Sequence, residues 1–240
     1  MIPHWMSRTE LLLGAEKIDK LRNAHVLVVG LGGVGGICAE MIARAGVGKM
    51  TIVDGDDIEA SNRNRQVPAL RSTEGKLKAT VMGERIRDVN PDIDLTIISE
   101  YLKGPKVEGI VESTRFDYAV DCIDTLTPKV FFIKACLDNK IPIVSSMGAG
   151  GKVDPLQVRV TDISKTYNCH LAYYVRKRLH RLGIYEGIQV VSSTEQADKS
   201  KVILAPEGST KKSIIGTISY MPAIFGITCA SVVIRNLYSR

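Results

Sequence analysis

The run GLGGVG places glycines at positions 30, 32, 33 and 35, between an apolar stretch, AHVLVVG, and one with helical spacing, GICAEMIARAG. A turn bared of side chains lets backbone N–H groups and the amino end of a helix approach phosphate oxygens. Gly30, Gly32 and Gly35 fit the G-x-G-x-x-G form of that turn in its strand–turn–helix setting, so the expected ligand is a nucleotide. Asp54 ends the next apolar run, KMTIVD, about 20 residues on, where an acid bonds ribose hydroxyls. A plain NAD-binding fold accounts for all of these residues.

The continuation, VDGDDIEASNRNRQ over residues 53–66, does not suit a dinucleotide alone. Arg65 and Lys78 add positive charge beside the glycine turn, and Arg63 is a third candidate. A pyrophosphate bridge is usually satisfied by the turn itself. A triphosphate needs cations on its outer phosphates, where charge develops as pyrophosphate departs. DCID, Asp121 to Asp124, sets two acids at the edge of the same crevice, and one is placed to hold magnesium, which prefers carboxylate and phosphate oxygens. Turn, ribose acid, cations and metal acid together suit ATP with Mg2+. Each residue also has a plainer reading, since a lysine on a helix face is usually solvated and an acid such as Asp121 often caps a helix. Their order along the chain carries the weight.

Strands and helices must bring these residues to one place. Beyond the first two strands, EGKLKATVMGERIRDVNP reads as an amphipathic helix ended by Asn90-Pro91, and DIDLTIIS as a third strand. KVEGIVEST is a short helix and FDYAVDCID a fourth strand. TPKVFFIKACLDNK is a helix with Thr127 as N-cap and Pro128 at the first helical position, and IPIVSSMGAGG a fifth strand running into glycines. Such alternation implies an α/β, Rossmann-like doubly wound sheet with ligands at the carboxyl ends of the strands. After Gly151 the pattern changes. LQVRVTDIS, GIQVVSST and KSIIGTISY read as strands around a basic helix, HLAYYVRKRLHRLG. They are expected to extend the parallel amino-terminal part with antiparallel strands, giving a mixed sheet, and to carry substrate contacts. The chain has no internal repeat and no low-complexity tract.

A chain of 240 residues with 45% apolar residues can bury a full core, as one large domain or two small ones. The net charge of +6 and pI near 9.0 suit a polyanionic partner but do not require one. Five cysteines lie far apart with no C-x-x-C pair, which argues against a zinc ribbon or a disulfide framework and fits a reducing cytoplasm. The first residues lack the apolar core of a signal peptide. Residues 213–234 carry no charge, as a membrane span would, but contain Ser, Thr, Tyr and Pro222. A buried strand ending near Tyr220, followed by a helix with Pro222 in its first turn, is the preferred reading.

GLGGVG, VDGDDIEASNRNRQ, GKLKA and DCID, in that order, resemble the ubiquitin-activating-enzyme-like adenylating enzymes, which include the molybdopterin and thiamine adenylyltransferases. The resemblance implies a mixed eight-stranded α/β domain, a homodimer, and ATP with Mg2+. It places the turn around Gly33 at the phosphates, Asp54 at the ribose, and Asn62, Arg65 and Lys78 on phosphates with Gln66 close by. Asp124 becomes the magnesium acid, and Arg8 the residue that reaches the nucleotide of the partner subunit. Within this superfamily GAGGKVDP, TDISKT and VVSSTEQ resemble the tRNA threonylcarbamoyladenosine dehydratases. The sulfur-carrier activators differ in carrying zinc cysteine pairs, so no structural zinc is expected. One departure is Cys169-His170, which stands where that family commonly has Asp-Pro.

On this resemblance residues 1–240 form a single adenylating domain: an arm over 1–24, a nucleotide-binding part over 25–151, and a substrate and dimerisation part over 152–240. The implied activity is ATP-dependent carboxylate activation and ring closure on tRNA in the cytoplasm, with a sulfur-relay protein as a further candidate partner and no membrane. Ring closure within the substrate calls for no enzyme nucleophile, and Cys122 is expected to be a small packed residue. Arg176, Lys177, Arg178 and Arg181, with His180 and Tyr173, Tyr174 and Tyr185, form a candidate tRNA contact, joined by Lys199, Lys201, Lys211 and Lys212. A solvated helix face with its tyrosines in the core is the competing reading. Two other functions stand beside the dehydratase: adenylation of a sulfur-carrier or ubiquitin-like carboxyl terminus, and a non-enzymatic NAD-binding module.

Overall fold

Apolar runs in the amino-terminal part form parallel strands, most of them followed by a helix that crosses back. The computed structural model describes residues 2–102, 104–204 and 213–239. Two short helices, α1 (Ser7–Leu13) and α2 (Ala15–Asn23), lead into β1 (His25–Val29), α3 (Gly35–Arg44) and β2 (Lys49–Val53). Then come α4 (Lys78–Val89), β3 (Asp94–Ile98), α5 (Pro105–Glu112), β4 (Tyr118–Asp121), α6 (Leu126–Asp138) and β5 (Ile143–Ser146). The carboxyl-terminal part adds β6 (Val158–Asp162), α7 (His170–His180), β7 (Gln189–Ser193), β8 (Val202–Leu204), β9 (Ser213–Ile215) and α8 (Tyr220–Tyr238).

Seven strands form one sheet in the order β3-β2-β1-β4-β5-β7-β6, all parallel except β6, which runs antiparallel to β7. Alternate residues of the inner strands feed two cores, as the two-residue period of a strand requires. Val26 and Val28 face α3, α4 and α8, while Leu27 and Val29 face α5, α6 and α7. The parallel register pairs Val29 with Val53 and with Asp121, and Asp121 with Ser145. Gly30, Asp54 and Cys122 therefore leave the sheet at one edge.

Three expected boundaries differ. The helix expected from Glu74 begins at Lys78, because Gly75 takes a left-handed φ of 81° and Asp57 bridges to Leu77. α6 begins at Leu126 with Thr125 in the cap position, so Thr127 lies inside the first turn, where the missing N–H of Pro128 costs no helical bond. The described part of KSIIGTISY, Ser213 to Tyr220, does not extend the sheet or bury a strand. Only Ser213–Ile215 pairs, with β8 in a separate two-stranded ribbon, and Ile214 and Ile215 are exposed. Among the described residues the main sheet thus has seven strands where the resemblance implies eight. α8 is apolar and long enough to cross a bilayer by length and composition. Its Met221, Phe225, Cys229 and Val233 are buried in the core shared with α3.

Candidate functional site: a glycine turn, its acids and its cations

The glycine turn is held from below by close backbone approach. Gly30 has a φ of 87°, and a Cβ there would lie 2.8 Å from the carbonyl oxygen of Cys122. At Gly35 a Cβ would lie 1.7 Å from the carbonyl oxygen of Gly30, so no side chain fits where the turn folds onto the start of α3. Gly33 sits against Pro222 of α8 and against Arg65, whose Cγ is 3.5 Å from where its Cβ would be. Arg65 is thereby brought beside the turn, its Nη1 donating to Ser61 O at 3.0 Å and Asn64 Oδ1 at 2.8 Å.

Asp54 lies beneath the turn. One carboxylate oxygen accepts from the N–H of Leu31 at 2.6 Å and the other from that of Asp56 at 2.8 Å. Burial raises its pKa against the pull of these two bonds and of nearby Lys78. Lys78, the first residue of α4, is buried, and its ammonium pairs with Asp56 at 2.8 Å. Asp56 also engages Tyr101, whose hydroxyl it pushes up to about 12 through a hydrogen bond. Asp54, Asp56, Lys78 and Tyr101 thus form one linked group.

Gln66 and Asn62 are both buried, with different consequences. Asn62 Oδ1 accepts from Glu59 N at 3.2 Å and its amide donates to Ser61 Oγ, so it ties the Ala60–Asn62 turn together. Gln66 reaches the turn, its Nε2 lying 3.7 Å from where a Cβ on Gly32 would be. Among the described residues, its Oε1 is the one buried side-chain polar atom with no hydrogen-bond partner. Such an atom is costly to leave unsatisfied and marks a place where a ligand donor fits.

The two acids of DCID have separate fates. Asp121 is fully buried and paired at 2.8 Å with Lys129, itself fully buried. Asp124 is exposed at the crevice edge. Among the described residues no cluster of three or more His, Cys, Asp and Glu side chains forms a metal site. A single carboxylate still suits magnesium shared with phosphates. Cys122 is half-buried, and Cys38 and Cys229 are fully buried thiols whose pKa values burial pushes well up. Arg63 is exposed and bonds Ala60 O. Arg8 is exposed on α1, and its guanidinium makes no hydrogen bond or ion pair to another described residue.

The structure decides one open alternative on α7. Ala172, Val175 and Leu179 face the core, while Tyr173, Tyr174 and Tyr185 are exposed at 50%, 39% and 61%. The tyrosines are therefore not core residues. Arg178 Nη1 donates to Thr127 Oγ1 at 2.8 Å and Arg176 bonds Thr166, whereas Lys177 and Arg181 stand exposed. Cys169 keeps the helix cap, its Sγ accepting from Ala172 N at 3.5 Å. Lys201 is exposed, and Lys211, Lys212 and the side chain of Lys199 lie outside the described residues. Asp56, Lys129 and Ser145 escaped the sequence reading, although the lysine that opens the apolar run KVFFIKAC is a visible signal.

The profile of the ThiF family matches residues 6–240. The chain belongs to the ThiF family. Among relatives of this ThiF-family chain, the tRNA threonylcarbamoyladenosine dehydratase of Bacillus subtilis is 36% identical over 241 residues, covering 98% of this chain and 94% of the relative. The crystal structure of the Escherichia coli tRNA N6-threonylcarbamoyladenosine dehydratase, TcdA, in complex with ATP superposes with a TM-score of 0.87 at 35% identity. It covers 98% of this chain and 93% of TcdA, and the same enzyme is known in complex with AMP. The likeness to the Escherichia coli sulfur carrier protein ThiS adenylyltransferase, 34% identical, extends over only 56% of the chain. This member of the ThiF family thus falls in its dehydratase branch.

Proposed function

We propose that this protein uses ATP to activate the carboxylate of the threonylcarbamoyl group on the adenosine beside the tRNA anticodon, so that the modification cyclises with loss of water. The observation that carries the reading is the match to dehydratases over nearly the whole chain, where the carrier activator matches little more than half of it. A carboxylate oxygen attacks the α-phosphorus of ATP, and the bond to pyrophosphate breaks. A nucleophile of the same modification then attacks the activated carbonyl, AMP leaves with the former carboxylate oxygen, and the nucleophile's proton passes to solvent. Because the second step is intramolecular, little entropy is lost in bringing the reactants together.

In this reading the turn from Gly30 to Gly35 takes the phosphates and Asp54 the ribose, with Asn62, Arg65 and Lys78 also on phosphates and Gln66 close by. The bare turn supports it, and the unsatisfied Gln66 Oε1 beside Gly32 offers an acceptor to a hydroxyl or amino donor of the nucleotide. Lys78 exchanges part of its pairing with Asp56 for phosphate oxygens. Asp124 holds magnesium, which when bound supplies positive charge to the phosphates. α7 takes the anticodon stem-loop, with Lys177, Arg181, Arg176 and Arg178 on phosphates and the exposed tyrosines stacked on unpaired bases. Exposed Leu11 and Leu12 beside Arg8 support a homodimer in which Arg8 serves the partner's nucleotide. Residues 152–240 form the substrate and dimer side, and a tRNA substrate together with free thiols fits the cytoplasm.

ATP–pyrophosphate exchange tests the reading. Exchange stimulated by tRNA bearing threonylcarbamoyladenosine, and by neither unmodified tRNA nor a Gly-Gly-ended sulfur carrier, is the expected result. Stimulation by the carrier alone would replace the substrate.

A further inference from the structure

We infer that Lys129 and Asp121 are positioning residues for carboxylate activation: their buried pair fixes the turn that joins the phosphate-binding glycines to Asp124. The inference rests on the reading of Asp124 given above.

Asp121 ends β4 with no exposed surface, and each of its oxygens is occupied. Oδ1 accepts from Ile123 N at 3.0 Å, while Oδ2 accepts from Ser145 Oγ at 2.5 Å and pairs with Lys129 Nζ at 2.8 Å. A carboxylate so engaged is not a second metal ligand. Lys129 comes from the first turns of α6 and donates also to Ile123 O at 2.8 Å. Ile123 is therefore held through both its N–H and its C=O by the two halves of one ion pair. On one side of it stands Cys122, whose carbonyl is the surface on which Gly30 rests, and on the other stands exposed Asp124. The pair thus sets the spacing between the phosphate turn and the acid at the crevice edge.

Stability alone does not call for such a pair. Burying two charges costs desolvation that apolar residues of similar volume avoid, and Lys129 sits among Val130, Phe132 and Ile133, where an apolar residue would pack. What an apolar residue cannot do is accept from and donate to the backbone of Ile123 at a fixed place. Support behind a metal or phosphate site commonly works this way, orienting the group that makes the contact.

The test compares Lys129→Met, Lys129→Arg and the neutral double variant Asp121→Asn/Lys129→Met with Asp124→Asn, following kcat, KM for tRNA and the magnesium requirement. Lys129→Met is expected to lower kcat about 10- to 100-fold and to raise the magnesium requirement, with KM for tRNA unchanged. Lys129→Arg, which keeps charge and donors, should restore most of the activity. If Lys129→Met does not fold, the double variant should show the same loss. Should neither fold, hydrogen exchange at the Ile123 amide of the unliganded wild type decides: slow exchange supports the pinned turn and exchange at loop rates overturns it. Folded Lys129 variants with wild-type kcat and magnesium requirement, beside an inactive Asp124→Asn, would overturn the inference while leaving Asp124 in place. A fully active Asp124→Asn is the separate outcome that removes the reading of Asp124 and the inference with it.

Discussion

The nucleotide crevice and the basic face of α7 are built by opposite means. In the crevice nearly every polar group is committed: Asp54 to the backbone of Leu31 and Asp56, Lys78 to Asp56, Asp121 to Lys129 and Ser145. On α7 and the turn after it Arg176 and Arg178 are tied down, while Lys177, Arg181, Tyr173, Tyr174 and Tyr185 are exposed. The first arrangement suits chemistry in which charge develops at fixed points, since a dipole already in place needs no reorganisation. The second suits a single-stranded loop, whose bases are met by stacking and whose phosphates are met by mobile cations. One sheet carries a rigid site and an adaptable one.

Substitutions should separate the two. Lys78→Ala removes a cation from the phosphates and leaves Asp56 uncompensated; turnover is expected to fall about 10³-fold, read by AMP formation, while tRNA binding by filter retention stays unchanged. Next in size is Gly35→Ala, whose Cβ would overlap the carbonyl oxygen of Gly30. It should lower stability by about 3 kcal/mol or more in urea titration and abolish ATP binding in whatever fraction still folds. Lys177→Ala with Arg181→Ala should do the reverse, raising KM for tRNA about tenfold and reducing the salt slope of tRNA binding by about two, with ATP affinity untouched. If the double variant changes ATP affinity instead, the two regions are not separate.

The smallest effect concerns the frame beneath both sites. His25 has no partner pattern in the sequence, yet it is buried at the start of β1 with Nδ1 3.2 Å from Arg115 O and Nε2 2.9 Å from Thr51 Oγ1. A carbonyl only accepts, so Nδ1 carries the proton and the neutral ring accepts from Thr51. Burial, then the charge of Lys49, lowers its pKa below 6.5. The unfolded chain therefore takes up this proton first as pH falls. Its contribution is level above about pH 6.5 and is lost below it at no more than about 1.4 kcal/mol per pH unit, until the native ring protonates. Urea midpoints of His25→Gln should lack this part of the slope, and ATP and tRNA binding should decline together with the wild-type fold.

The crevice was legible because its chemistry dictates residue types. A phosphate turn needs glycines such as Gly30 and Gly35, a ribose needs an acid such as Asp54, and a triphosphate needs Arg65 and Lys78. Pairings were not legible, since nothing local links Lys129 to Asp121 or Lys78 to Asp56 until the strands are in register. Gly75 was read as part of a helix because its left-handed conformation depends on the bridge from Asp57 to Leu77. The direction of Tyr173 and Tyr174 was open for a similar reason. A helix with Ala172, Val175 and Leu179 inward and charges outward leaves both tyrosines at positions the pattern alone does not assign.

Nucleoside mass analysis tests the central claim most directly. The protein is incubated with ATP, magnesium and tRNA carrying the open threonylcarbamoyl modification, beside unmodified tRNA and an Asp124→Ala variant. Loss of one water from the modified nucleoside, dependent on ATP and on Asp124, is the predicted result. An unchanged nucleoside in the presence of demonstrated ATP binding would contradict the account and leave the crevice with a different carboxylate to activate.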